Sequence, residues 1–326
     1  MIEFPERYEN ENENVIFDCE VEIPDSVVEK DIYLDKVEGY LFADAEKAWS
    51  LWGEGKEIEE QHESPGTNGY PDSMYYIFTD GSALGTGRSL SYTTDNYRRY
   101  SRIGARDDSV WEEHFQEELA FSSAEDCIEE FRCLLEEVGI PSNLFQYDWF
   151  SLKQEQLVQL EEEKIRNSLL DETKAFREWK QEDEIYVVYG FQYDQDLPIF
   201  HEMMGLYQSF ALDSLSNAPI IATYSSRGLE QLLVSFYIYC LIPTEEQIEW
   251  IPFEEAAAVV DEKYNSFLTN TQYVVTRAKL FQMVLKDEEG QLNAEPVWRF
   301  EIEEESTGRT RVTVVNAMNG KEIPLP

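Results

Sequence analysis

The chain has 326 residues, 42 % hydrophobic and 13 % aromatic, which is enough for two or three packed domains and argues against a disordered chain. Its formal net charge of −41 excludes nucleic acid and anionic lipid surfaces as partners, because both are bound through Lys and Arg side chains. The charge also suits a cation or a basic partner, but a well-solvated surface that keeps the protein soluble is the simpler interpretation.

The first predicted elements are a lead-in, a strand, a helix and a loop. Residues 1–14 carry a low-complexity Asn/Glu tract, which predicts a disordered acidic lead-in. The alternation of apolar and polar residues at 15–23 predicts a strand with one buried face. A short helix is predicted at 44–52, with Asp44 as its N-cap. Residues 55–73 are rich in Gly, Pro, Ser and Glu and predict a loop.

The middle of the chain continues with aromatic strands and two helices. Strands are predicted at 74–78, 88–94 and 97–103. A helix is predicted at 123–138, where Ser and Glu residues form a capping box and apolar residues follow helical spacing. A second helix is predicted to begin at Ser151.

The charged stretch 161–184 is predicted to be a solvated continuation of the second helix. A strand follows at 185–193, and a hairpin is predicted for the runs 219–224 and 232–242, with Gly228 supplying a positive φ in the turn.

The last part of the chain predicts one helix and three strands. The helix begins near Pro252, and the strands begin near Tyr273, Pro296 and Arg311, with Asp, Glu and Gly residues in the turns between them. Single helices followed by runs of strands, without β–α–β alternation, predict an α+β fold with helices packed on one face of antiparallel sheets.

The domain boundaries follow from these elements. After the lead-in at 1–14 we expect an N-terminal α+β domain at 15–150, a helical joint at 151–183 and a C-terminal α+β domain at 184–326.

Three helix openings share a pattern that leaves open whether the chain is built from repeats. Each has a large apolar residue, a capping turn, a Glu in the first turn and a small apolar residue soon after, at 41–48, 120–127 and 251–257. A first-turn carboxylate complements the helix dipole, and a small residue lets a helix approach a sheet. Because these reasons apply to most helices, three unrelated well-capped helices explain the pattern equally well.

No motif assigns a catalytic, cofactor-binding or metal-binding residue, and no cofactor is expected. The glycine-rich segment 81–88 lacks the Lys-Ser/Thr ending of a P-loop and predicts a turn between strands. His62, His114 and His201 stand singly, and the acidic fragment 194–196 does not continue as a calcium loop. Binding residues are left unknown.

Four cysteines are too few for a disulfide framework in a chain of this length, so we expect four free thiols in small buried apolar positions. No apolar run is long enough to span a membrane, and the first residues do not have the pattern of a signal peptide.

The C-terminal residues carry a resemblance to a known family. Pro296-Val-Trp298-Arg-Phe300, followed by the run from Val312 to Ile323, resembles the ending of PepSY-type domains and of YycI-type extracytoplasmic regulators. Asn316 and Asn319 stand where the family pattern has Asp and Thr, at turn-forming positions. The resemblance covers residues 251–326 and implies that Trp298 is a structural residue between the helix and the sheet.

Together with the segments 18–24 and 120–140, this ending makes the whole chain similar to uncharacterised lipoproteins exported by gut Firmicutes. The resemblance implies PepSY-like modules, a location outside the cytoplasm and membrane attachment only through an N-terminal lipid anchor that the chain does not show. It carries no catalytic residues.

Three classes of function are open. The resemblance favours a non-catalytic extracytoplasmic binding or regulatory protein of the cell envelope. Alternatives are a protease-inhibitory or chaperone-like module and a carboxylate-dependent hydrolase of wall or glycan polymers. The acidic surface predicts a neutral or basic peptide or protein as the partner. Tyrosines of the strands at 74–78 and 185–193 would form an aromatic binding face, unless they only complete the core. The oligomeric state is not predicted.

Overall fold

The structure is a computed structural model that describes residues 4–67, 69–107, 115–201, 218–235, 237–267, 271–287 and 289–324. It is a mixed α/β fold, dominated by largely antiparallel sheet and with few helices. The helices are α1 (Asp25–Glu29), α2 (Ala45–Trp52), α3 (Tyr97–Arg102), α4 (Ala124–Glu137), α5 (Gln154–Arg166) and α6 (Phe253–Asn265).

The strands fall into two groups along the chain. The first group is β1 (Arg7–Asn12), β2 (Val15–Glu22), β3 (Tyr33–Tyr40), β4 (Ile58–Ser64), β5 (Ser73–Phe78), β6 (Ala83–Thr86), β7 (Leu90–Thr93) and β8 (Phe145–Leu152). The second group is β9 (Ile185–Asp194), β10 (Leu197–His201), β11 (Ile220–Ser225), β12 (Gly228–Val234), β13 (Tyr239–Gln247), β14 (Tyr273–Lys286), β15 (Leu292–Glu304), β16 (Arg309–Asn316) and β17 (Glu322–Ile323).

The chain divides into two compact units whose boundaries differ from the predicted domains. Unit 1 comprises Met1–Gly39, Gln192–Leu212 and Tyr239–Pro326, and unit 2 comprises Tyr40–Phe191 and Asp213–Ile238. The N-terminal strands β1 to β3 therefore belong with the C-terminal strands, and the predicted joint at 151–183 lies inside unit 2. The reason is that β2 pairs with β14, which follows it in the chain by more than two hundred residues.

The sheet of unit 1 is built on the three predicted C-terminal strands. β14, β15 and β16 pair antiparallel in sequence order, as predicted. β2 pairs with β14 in the parallel direction, and β1 adds antiparallel to β2. A second parallel pairing joins β10 to β14. The sheet is thus mixed, whereas the sequence predicted antiparallel pairing alone.

One helix and a tryptophan form the centre of the unit 1 core. Phe253, Ala256 and Val260 on α6 are fully buried, and the small Ala256 permits close approach to the sheet. Trp298 of β15 is 0 % exposed and meets the Phe253 ring edge-on, with 4.9 Å between ring centroids. The prediction that Trp298 is a structural residue between helix and sheet is confirmed.

Unit 2 has an antiparallel sheet with the strand order β4–β5–β6–β7–β12–β11–β9. The predicted hairpin is formed by β11 and β12, and Gly228 has the expected positive φ, at 99°. The predicted helix at 123–138 is α4, which buries Ile128, Phe131 and Leu135 in the unit 2 core. The side chain of Ser123 caps it by accepting a hydrogen bond from the Asp126 N–H at 3.1 Å.

Two predictions of irregular structure are wrong. The lead-in 1–14 contains β1, where Tyr8 packs edge-on against Phe17 and Phe253 at 5.3 Å from each ring. The loop 55–73 contains β4, whose side chains are all exposed. Both strands consist mostly of polar residues, so their sequences did not predict strands. Backbone pairing with β2 and β5 stabilises them instead.

Two predictions of regular structure are also wrong. The segment 97–103 is helix α3 rather than a strand, since Tyr97 and Tyr100, three residues apart, are buried together. The second helix begins at Gln154, because Ser151 still belongs to β8. It ends at Arg166, so the predicted continuation is confirmed for 161–166 and wrong for 167–184.

Candidate functional site

A groove of unit 1 lies between α1 and the segment that follows β13. It has a volume of about 430 Å³ and an apolar floor. Val27, Ile32 and Ile248 are 3 %, 3 % and 4 % exposed. The rings of Phe4 and Trp250 meet edge-on, with 5.9 Å between their centroids. We call this surface the unit 1 groove.

Main-chain and side-chain hydrogen bonds fix the two sides of the unit 1 groove against each other. The Ile248 N–H donates to the Ile32 carbonyl at 2.9 Å, and the Gln247 side-chain amide donates to Asp31 at 2.7 Å. On the α1 side, the Val27 N–H donates to the Pro24 carbonyl at 2.9 Å. The groove is therefore formed before any ligand binds, which lowers the entropic cost of binding.

The rim of the unit 1 groove is acidic. Glu29, Asp31 and Glu249 lie on it, and Lys30 is the one basic residue among the described residues of its lining. The Lys30 ammonium is 3.5 Å from a carboxylate oxygen of Asp196, so part of its charge is already compensated. Val28, next to these charges, is 38 % exposed. The floor of the groove is therefore complementary to an apolar side chain of a ligand, and the rim is complementary to positive charges on either side of that side chain.

A carboxyl pair stands elsewhere in unit 1, between β3 and the turn from β9 to β10. Asp35 is 1 % exposed. The Gln195 side-chain amide donates to Asp35 at 2.7 Å and to Asp194 at 3.0 Å, and Asp35 and Asp194 are hydrogen-bonded to each other. Burial, followed by the hydrogen bond and charge of Asp194, raises the pKa of Asp35 to about 7.

The geometry of this pair indicates a structural role. Gln195 and Asp196 have positive φ angles of 47° and 65°, and they form the two-residue turn between β9 and β10. Gln195 also accepts from the Tyr33 N–H at 2.8 Å, so the cluster attaches this turn to β3. Glycosidase carboxyl groups stand about 5 to 9 Å apart, whereas these two share a hydrogen bond. The pair therefore gives no support to the hydrolase alternative.

The predicted aromatic binding face is wrong for the strand at 185–193. Tyr186 and Tyr189 of β9 are 0 % and 2 % exposed, and their hydroxyls donate to Glu118 at 2.7 Å and to Asp148 at 3.0 Å. These tyrosines complete the core of unit 2. On β5, Tyr75 is 43 % exposed and Tyr76 is half-buried, so a continuous tyrosine face is not formed.

One histidine and the glycine-rich segment of the sequence analysis lie in ordinary strand positions. His62 lies on the exposed strand β4, while His114 and the His201 side chain lie outside the described residues. The segment 81–88 turns into β6 and pairs with β5 and β7. Among the described residues, no group of three or more His, Cys, Asp or Glu side chains is placed to hold a metal ion.

The four cysteines are free, as predicted. Cys19 and Cys127 are buried, and burial raises the pKa of each thiol to about 11. Cys133 is exposed and Cys240 is half-buried, so the expectation of an apolar environment is wrong for Cys133.

The sequence analysis missed the unit 1 groove because its two sides are more than two hundred positions apart. The available signal was the presence of apolar residues beside charged ones outside the predicted elements, at Val27–Val28 and at Trp250. Such residues must pack on something, but the sequence does not say on what.

Comparisons with known proteins show the fold. No family model matches the chain, and no curated protein matches it. Among solved structures, an uncharacterised protein from Eubacterium rectale ATCC 33656 is 16 % identical with a TM-score of 0.60, over 99 % of this chain and 94 % of that one. The Bacillus megaterium YpeB C-terminal domain is 10 % identical with a TM-score of 0.31, over 86 % of this chain and 94 % of that domain. The first similarity establishes a shared fold.

Proposed function

We propose that the protein is a non-catalytic binding or regulatory protein of the cell envelope, which acts outside the cytoplasm and binds a neutral or basic peptide or protein in the unit 1 groove. The observation that carries this proposal is a preformed groove in which the exposed Val28 and the half-buried Phe4 and Trp250 lie beside an acidic rim. Apolar side chains of a partner would supply binding energy there, and its positive charges would set specificity and speed association.

The preference for a peptide rests on the shape and chemistry of the groove. Its floor of Val, Ile and aromatic side chains offers no set of convergent polar groups that would orient a small polar metabolite. The rim carries Glu29, Asp31 and Glu249, so an acidic partner would be repelled at the groove itself.

A matched pair of variants tests the groove. Val28 and Ile242 both belong to unit 1, are 38 % and 43 % exposed, and only Val28 lines the groove. The probe is a short unstructured peptide with one Phe between Lys residues, and the readouts are calorimetry and the intrinsic tryptophan fluorescence, to which Trp250 of the groove contributes. We expect Val28→Asp to weaken binding about tenfold through loss of apolar contact, and Ile242→Asp to leave it unchanged.

Charge provides a second test of the same site. A peptide in which Glu replaces Lys should bind several-fold more weakly than the Lys peptide. In the variant Glu249→Lys, the difference in affinity between the two peptides should be smaller. Equal loss of binding in Val28→Asp and Ile242→Asp, or no binding of the Lys peptide at all, would exclude the groove as the binding site.

The finer features of the architecture belong to the same proposal. We propose that helices cover one face of each sheet in repeated PepSY-like modules and that a lipid anchor attaches the native gene product to the membrane. The three predicted helix openings lead into α2, α4 and α6, as repetition requires. None of the described helices has the length and hydrophobicity needed to cross a bilayer. Two tests address the anchor: the coding sequence upstream of Met1 and fractionation of the source cells. Recovery of the protein in the cytosolic fraction would refute the proposal.

A further inference from the structure

Unit 2 contains a concentration of positive charge that is unexpected in so acidic a chain. The chain has 26 Lys and Arg residues against 67 Asp and Glu residues. Yet the nine positions 98–106 hold four arginines and no acidic residue. Most of this segment is helix α3. Three of the four arginines, Arg98, Arg99 and Arg102, therefore lie close together on one short helix.

Helix α3 and the loop after α5 together form a pocket of about 380 Å³. Three basic residues line it, Arg99 and Arg102 from α3 and Lys174 from the loop. The ring of Phe176 forms another wall, and the Arg99 guanidinium lies 4.1 Å from the centre of that ring. We call it the arginine pocket.

A buried carboxylate holds the loop of the arginine pocket in place. Glu161 of α5 is 5 % exposed. It accepts hydrogen bonds from the Phe176 N–H at 2.6 Å, the Arg177 N–H at 2.9 Å and the Trp179 indole at 3.1 Å. These three donors occupy the carboxylate and fix the loop against α5. The pocket thus has its shape without a ligand.

The cations of the pocket are available to a ligand. Within the described ranges, no carboxylate lies within 4.0 Å of the side chains of Arg102 and Lys174. Arg99 is 4.0 Å from Asp183, but that carboxylate is closer to Arg227, at 3.0 Å. Lys174 interacts electrostatically with Asp171 at longer range, and the carboxylate in the pocket lining, Glu161, is occupied by its three hydrogen-bond donors.

We propose that the arginine pocket binds an oxyanion, a phosphate, sulfate or carboxylate group carried by a small molecule. Guanidinium groups donate two parallel hydrogen bonds to such groups, and Lys174 adds a third positive charge. The remaining volume and the Phe176 ring accommodate an organic part of the ligand. The net charge of the chain does not prevent binding, because charges beyond about 8 Å are screened at physiological ionic strength. This site is independent of the unit 1 groove.

Thermal unfolding in the presence of anions tests the proposal on the whole chain. A ligand that binds the folded state raises the unfolding temperature in a saturable way. The probes are inorganic phosphate, sulfate and succinate, each titrated with sodium chloride to constant ionic strength. We expect a saturable increase with at least one probe. A preference for phosphate and sulfate assigns a tetrahedral group to the ligand, and a preference for succinate assigns a carboxylate.

Three single variants locate the effect. Arg98 lies on the same helix as Arg102 but outside the pocket, and it is engaged with the Gly81 carbonyl at 3.2 Å. Arg98→Gln therefore removes the same charge without touching the site. We expect Arg102→Gln and Lys174→Gln to weaken the apparent affinity for the anion about tenfold, and Arg98→Gln to leave it unchanged. The proposal would be overturned if all three variants changed the affinity for the anion equally. It would also be overturned if no probe raised the unfolding temperature in a saturable way beyond the effect of chloride.

Discussion

Replacement of Asp35 by Asn should make the protein more stable in neutral and basic solution. Asp35 is buried on β3, where it shares a hydrogen bond with Asp194 and accepts one from Gln195. Ionisation puts a negative charge in a buried place next to a second carboxyl group. The amide of Asn has the same shape, stays neutral at every pH and can donate to Asp194.

The size and sign of the effect follow from linkage. The ordinary pKa of the carboxyl group is 3.8, and burial with the neighbouring Asp194 raises the pKa of Asp35 in the folded state to about 7. Folding therefore takes up a proton between these two values, and stability falls as pH rises through this window. Over the whole window the loss is about 4 kcal/mol, of which about 2 to 3 kcal/mol falls between about pH 5 and pH 8.

Urea unfolding at several pH values measures this dependence. The free energy of unfolding of the wild-type chain should fall relative to that of Asp35→Asn by about 2 to 3 kcal/mol from pH 5 to pH 8. Asp194→Asn should reduce the slope, because it removes a neighbouring charge. Glu20→Gln, at an exposed position of β2, controls for the loss of one negative charge. The reasoning would be refuted if the difference in free energy of unfolding between wild type and Asp35→Asn were the same at pH 5 and pH 8.

Two further predictions concern the packing and capping of helices. Trp298→Ala should lower the free energy of unfolding by about 3 to 5 kcal/mol, because it empties the space beneath Phe253. Trp298→Phe should cost less, since the indole N–H has no acceptor among the described residues; equal losses in chemical denaturation would contradict this. Asp44→Ala should cost about 1 kcal/mol, because the Asp44 side chain caps α2 by accepting from the N–H groups of Glu46 and Lys47 at 2.9 and 3.1 Å. Asp44→Asn keeps an acceptor and should be near wild type in the same assay, and a full loss there would exclude capping as the cause.

Elements with strong local signals could be predicted from the sequence. Helix α4 has a capping serine, apolar residues at helical spacing and a glycine after its end, and Gly139 has a φ of 84°. The hairpin at Gly228 and the three C-terminal strands likewise carry their own turn residues. In each case the residues that decide the structure are neighbours in the chain.

The missed elements depend on partners that are distant in sequence. β4 exposes every side chain, so nothing in its own residues distinguishes it from a loop, and β5 supplies the pairing. α3 has aromatic and arginine residues that suit a strand as well as a helix. The helix is favoured because it buries both Tyr97 and Tyr100 inside unit 2. This tertiary effect overrides the local preference for a strand.

The arginine pocket illustrates the difference between the net charge of a chain and the local charge at a site. A net charge of −41 describes the field that a partner meets at a distance, and it predicts neutral or basic ligands. Within the screening length, a ligand meets only the nearest charges, and at the arginine pocket these are three cations, Arg99, Arg102 and Lys174, and one hydrogen-bonded carboxylate, Glu161. The fold brings positions 99–102 and 174–176 together, although about seventy residues separate them. Sites for ligands of opposite charge can therefore exist on one acidic chain, provided that each has its own local set of side chains.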